Sequence, residues 1–157
     1  RVALTVGLAR AVGVRGMVGG QAMDIAAETA STALNLDQIT TLQAGKTGAL
    51  IEWAATAGPL MAEDDPAPLA RYARDLGLAF QIADDILDVE GDAATVGKAV
   101  GKDQSAGKAT FVSLLGLDAA KARAAALVES ACDALSSYGD DAETLRDAAR
   151  FVIARKS

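Results

Sequence analysis

A chain of 157 residues, 51% hydrophobic and 23% charged, can bury a sizeable core without disulfides or a structural metal. Disordered, collagenous and disulfide-scaffold classes are thereby excluded. The net charge of −6, from 15 basic and 21 acidic residues with no basic run, argues against a nucleic-acid partner. The single cysteine, Cys132, allows no internal disulfide, and the lack of histidine rules out a histidine-based triad or a His-ligated zinc; a reducing, cytoplasmic setting is expected.

Thirty-six alanines and repeated helix punctuation predict one all-α domain over residues 1–157. The first helix is expected over Val2–Glu28, where Gly13, Gly16, Gly19 and Gly20 suggest close backbone approach. Arg10 and Arg15 interrupt this apolar stretch, so no membrane span is expected. Residues 1–18 lack the order of a signal peptide and read as a helix interior, which suggests a fragment. A second helix starts after Asn35, which with Gln38 has capping-box spacing, and is expected to end at Gly58 and Pro59. A third opens at Asp65 and Pro66 and runs to Val89, stopped by Gly91. Residues 91–108 lose the apolar period and carry Gly97-Lys98, Gly101-Lys102 and Gly107-Lys108, the pattern of an anion-binding loop. A short apolar helix over 110–115, one from Asp118 and one from Asp140 or Asp141 complete the chain.

The third helix carries the chemistry. Projected at about 100° per residue from Asp84, Asp88 falls near 40°, Gln81 near 60° and Asp85 near 100°. Ile82, Ala83, Ile86, Leu87 and Val89 fill the opposite arc. Like charges at i,i+4 destabilise a helix, so something should compensate. Mg²⁺ suits oxygen ligands of this kind because it takes one or two carboxylates and completes its shell with water and substrate phosphate; Mn²⁺ is the alternative ion. A solvated acidic face is the competing explanation. Two other aspartate pairs, Asp64-Asp65 and Asp140-Asp141, lack the third aspartate and the amide and read as helix caps. Lys46 stands between Gly45 and Gly48 inside a helix, an arrangement that clears backbone for a ligand, whereas Lys98, Lys102 and Lys108 follow glycines and could converge on one anion or simply belong to a solvated loop.

Four segments together resemble the trans-isoprenyl diphosphate synthase family: Gly19-Gly20-Gln21-Ala22-Met23-Asp24, Lys46-Thr47-Gly48-Ala49-Leu50, Gly77-Leu78-Ala79-Phe80-Gln81 running into Asp84-Asp85-Ile86-Leu87-Asp88, and Gly107-Lys108-Ala109-Thr110. The resemblance is to the C-terminal half of bacterial farnesyl or geranylgeranyl diphosphate synthases; Val112 stands where the family often has proline. It implies antiparallel helices around a central cavity, here incomplete, and a homodimer. It also implies condensation of isopentenyl diphosphate with an allylic diphosphate. Asp84, Asp85 and Asp88 would hold Mg²⁺; Lys46, Lys98, Lys108 and Arg155 would hold diphosphate; Thr47 and Gln81 would lie beside the reacting carbon; Gln21, Asp24, Phe80 and Asp103 would support them. The first Asp-Asp-x-x-Asp motif of the family is not in this sequence, so negligible transfer activity is expected of this chain alone. A regulatory subunit, a class I terpene cyclase and a non-enzymatic helical module are the alternatives. Cys132, Trp53 and Phe80 read as packing residues.

Overall fold

The computed structural model describes residues 1–96 and 109–155, with side chains described outside 92–96. Among these residues every regular element is helical, as the composition predicts. In chain order they are α1 (Val2–Val12), α2 (Met17–Glu28), α3 (Leu36–Gln43), a π-helical turn (Ala44–Gly48), α4 (Ala49–Ala62), α5 (Ala67–Val96), α6 (Phe111–Leu115), α7 (Leu117–Ala134), a 3₁₀ segment (Ser136–Ala142) and α8 (Glu143–Ala154).

Local chemistry explains most of the boundaries, and tertiary packing explains the departures. The expected first helix breaks at residues 13–16, so the glycines split it into α1 and α2. By length and apolar content Val2–Glu28 is sufficient to cross a bilayer, with 11% of its apolar window buried. The two arginines did not lower its hydropathy enough to prevent this. In this structure α1 lies on α4 and α2 on the π turn. Asn35 and Gln38 form the expected capping box, with both bonds at 2.9 Å. The helix they open passes through Pro59, which is buried inside α4, and ends three residues later at Ala62, with Glu63 next in left-handed backbone (φ 58°). Proline removes one i→i−4 bond, a loss that burial against the rest of the fold outweighs.

The Asp65 carboxylate accepts the Ala67 N–H at 2.9 Å, as expected of a cap. Gly91, expected to stop α5, lies inside it with open space where a Cβ would stand. A single glycine inside a helix costs about 1 kcal/mol, too little to end a long packed one. The Asp140-Asp141 pair caps nothing. It lies in the 3₁₀ segment, and the turn into α8 is made instead by Gly139 (φ 56°) and by Arg146, which donates to the Gly139 and Leu135 carbonyls at 2.8 and 2.9 Å.

Helix α5 is the central rod. One cluster packs its Tyr72, Ala79 and Ala83 against Val128, Ala131 and Leu135 near α7 and Ala149 and Val152 of α8. A second joins its Ile82 and Ile86 to Ile39, Phe111, Ala120 and Ala124. Alanine at so many contacts lets α5 and α7 run close along their length, which is where the alanine-rich composition is used.

Candidate functional site

The site starts from a defect in helical winding. Between α3 and α4 the rod widens into the π turn Ala44–Gly48, with Lys46 at its middle. Such turns re-aim side chains and recur at functional sites. Here the turn rests on α2 at Gly20, where a Cβ would lie 2.2 Å from the Lys46 nitrogen and 2.6 Å from its Cα. Only glycine allows that approach. It brings the Lys46 ammonium to the Asp24 Oδ2 at 2.6 Å, and Asp24 is the one charged side chain described as buried, at 4% exposure. Beside Asp24 a small pocket is lined by Ile39, Leu42 and Gln43, where Gln43 Oε1 is buried without a hydrogen-bond partner among the described residues.

On its other side the π turn meets α5. A Cβ on Gly77 would sit 3.4 Å from the Gly48 Cα. Seven residues on, after about two turns and about 10 Å along the axis, comes Asp84 on the same face, followed by Asp88, with Gln81 between. The lysine-bearing turn and the carboxylates therefore address one face of α5. Thr47 of the turn and Gln81 and Asp84 of α5 are half-buried, Asp88 is exposed, and Gln21 is half-buried on α2, which packs against the turn.

Each acidic residue of the motif has its own surroundings. Asp85 accepts the Phe111 N–H at 2.7 Å, which ties α5 to the start of α6. Burial pushes its carboxyl above the ordinary range, the Phe111 N–H opposes this, and the neighbouring Asp88 and Asp84 charges add to it. Asp84 pairs with Arg155 at the end of α8. That guanidinium lies 4.3 Å from the Phe80 ring centroid, donates to the Phe80 carbonyl at 3.4 Å and, through Nε, to the Val152 carbonyl at 3.2 Å. Sequence reasoning placed Arg155 beside a diphosphate and Phe80 in the core; here the two meet over Asp84. A contact across 71 residues leaves no local signal, although a terminal arginine in a chain with an uncompensated acidic face was the available hint. Lys98, Lys102, Asp103 and Lys108 lie outside the described residues.

Among the described residues no three acidic, histidine or cysteine side chains converge into a cage for an ion. Zinc would require such a cage, and Ca²⁺ six or more oxygens. Mg²⁺ does not, since one or two carboxylates with water and phosphate complete its octahedron. Asp84 and Asp88, about one turn apart on one face, fit that demand. A groove of about 420 Å³ is lined by Ile86, Leu87 and Glu90 of α5, Lys121 and Ala124 of α7, and residues 152–155.

Residues 8–148 match the model of the polyprenyl synthetase family. The chain is 41% identical to the farnesyl diphosphate synthase of Escherichia coli K12, over 99% of this chain and 54% of that protein. Among solved structures it is similar to an FPP/GFPP synthase from Zymomonas mobilis, with a TM-score of 0.85 and 47% identity over 96% of this chain and 50% of that one. A geranyltransferase from Helicobacter pylori, complexed with magnesium and isoprenyl diphosphate, matches with a TM-score of 0.73 and 31% identity over 98% of this chain and 50% of that one. The chain thus spans about half the length of the relatives it matches. With its all-α fold, its lysine-bearing π turn and its aspartate-rich α5, the chain belongs to the polyprenyl synthetase family.

Proposed function

We propose that the chain supplies the C-terminal half of a magnesium-dependent prenyltransferase that condenses isopentenyl diphosphate with an allylic diphosphate to give farnesyl or geranylgeranyl diphosphate. The observation that supports this reading is the arrangement along α5: the π turn that carries Lys46, whose ammonium pairs with Asp24, meets the helix at Gly77, and Asp84 and Asp88 follow on the same face of α5. Asp84 and Asp88, with Asp85 beside them, would hold the metal, and Mn²⁺ could replace Mg²⁺. When bound, Mg²⁺ supplies positive charge to the diphosphate oxygens as the allylic C–O bond ionises.

The chain's own residues do the rest. Lys46, whose ammonium is positioned by a buried carboxylate, neutralises a diphosphate oxygen without having to reorganise. Lys98, Lys108 and Arg155 would add charge around the same anions. The Thr47 hydroxyl and the Gln81 amide offer oriented dipoles to the cationic carbon that the departing diphosphate leaves. Asp103, Gln21 and Phe80 would fix the surrounding side chains. The same reading makes the protein a cytoplasmic homodimer.

Calorimetric titration of a non-hydrolysable allylic thiolodiphosphate, with and without Mg²⁺, tests the proposal. Binding should require the metal, should weaken about tenfold in Asp84→Asn and should be abolished in Lys46→Ala. Binding that ignores both Mg²⁺ and Asp84 would overturn it. Incorporation of radiolabelled isopentenyl diphosphate by this chain alone should be negligible, because it spans half of the relatives it matches.

A further inference from the structure

Asp84, Asp85 and Asp88 crowd like charge along α5, and the structure gives Asp84 a compensating guanidinium from the far end of the chain. Arg155 takes the Oδ1 oxygen of Asp84, and its position is fixed by more than that pair. The Phe80 ring lies beneath it at 4.3 Å, the Phe80 carbonyl accepts from it, and its Nε is tied back to the last turn of α8 through the Val152 carbonyl. Arg155 is 21% exposed at its side chain and Asp84 40%, so the pair sits at the edge of the fold, open to exchange with ions from solvent. The backbone N–H of Arg155 still bonds the Phe151 carbonyl at 3.0 Å, so its placement is continuous with α8.

We propose that Arg155 is a built-in counter-cation for Asp84 which a divalent ion displaces, so that metal loading and release of the end of α8 are one coupled event. This rests on the reading of Asp84 as a metal ligand. The physical basis is charge competition: a dication on the Asp84 carboxylate would stand within a few ångströms of the guanidinium on Oδ1, and like charges that close repel, so each cation weakens the other's hold. Linkage makes the coupling reciprocal. Free energy that Arg155 gains at Asp84 is free energy the metal must overcome, and the apparent metal affinity scales with the fraction of chains in which the guanidinium is not seated. The Phe80 platform raises that fraction above what an exposed ion pair alone would reach.

The test is a titration of the 157-residue chain with Mn²⁺, read by the electron paramagnetic resonance of the free ion, in the wild type, Arg155→Gln and Arg155→Lys. Arg155→Gln should bind Mn²⁺ about fivefold more tightly than the wild type, with Arg155→Lys between them, since lysine keeps the charge but loses the stacked, forked geometry. A side chain that merely held the fold together would change affinity in the opposite direction. Hydrogen exchange gives a second readout: Mn²⁺ should accelerate exchange of the 153–155 amides in the wild type and leave it unchanged in Arg155→Gln. Equal or weaker Mn²⁺ affinity in Arg155→Gln, or exchange indifferent to metal in the wild type, would overturn the exchange of cations while leaving Asp84 a ligand. No Mn²⁺ binding by any of the three would overturn the metal reading itself, and this inference with it.

Discussion

The two long faces of α5 are made differently and fail differently. Toward α7 and α8 the helix presents Tyr72, Ala79 and Ala83 to other apolar side chains, and the fit is one of volume. Toward the π turn it presents Gly77, then Gln81, Asp84 and Asp88, and the fit is one of backbone clearance and charge compensation. The apolar face can absorb conservative substitutions at a cost set by the methylenes lost. The intolerance on the other side lies one layer out: the π turn that meets α5 at Gly77 also rests on α2, where a single added carbon at Gly20 meets main-chain atoms of Lys46. Fold stability and ligand chemistry are thus assigned to opposite sides of one helix, and substitutions should separate them.

The largest effect belongs to the apolar side. Leu135 is fully buried, and Leu135→Ala should cost about 4 kcal/mol in urea denaturation. In the fraction that remains folded, Mn²⁺ affinity should match the wild type. A parallel loss of metal affinity would break the division between the faces.

Gly20→Ala should come next, at about 2 to 3 kcal/mol, because the new Cβ forces α2 away from the π turn. Unlike Leu135→Ala, it should also abolish binding of the allylic thiolodiphosphate, by shifting Lys46 relative to Asp24. Retained ligand binding in a destabilised Gly20→Ala protein would show that Lys46 does not depend on that contact.

The same division governed what the sequence made legible. The acidic face of α5, Lys46 among glycines and the Asn35–Gln38 cap are local patterns, and each appears where spacing put it. Pro59 and Gly91 misled because a weak local stop signal was set against the packing of a long helix, and packing prevailed. The π turn itself was beyond reach, since five helical residues read the same whichever carbonyl their N–H groups choose. Arg155 over Phe80 and Asp84 is a tertiary event, visible only once α8 is folded back along α5.

Tyr72 offers a smaller effect with a pH signature. Its hydroxyl donates to the Leu145 carbonyl at 2.8 Å, so Tyr72→Phe should cost about 1 kcal/mol. Burial, and then the Cys132 charge, push the phenol above its ordinary pKa of 10.0. An acid whose folded pKa is raised retains its proton in the native state while the unfolded chain has already released it. Stability therefore falls as pH rises from about 10 toward the raised value. The wild type should lose stability across that window more steeply than Tyr72→Phe, measured by chemical denaturation at stepped pH.

The smallest effect compares two ion pairs built on α5. Lys121 and Glu90 meet at 2.6 Å, yet their side chains are 48% and 47% exposed and no other described residue adds a second anchor. Water screens such a pair, and fixing two long side chains costs entropy, so a double-mutant cycle should give a coupling of about 0.5 kcal/mol or less. The Asp84–Arg155 pair shares the helix but adds an aromatic platform and a carbonyl, and its coupling should be the larger of the two in metal-free buffer. Adding Mn²⁺ should collapse the Asp84–Arg155 coupling and leave the Lys121–Glu90 value where it was. If both couplings respond alike, the ion acts through general screening, and Asp84 holds no privileged place on the charged face of α5.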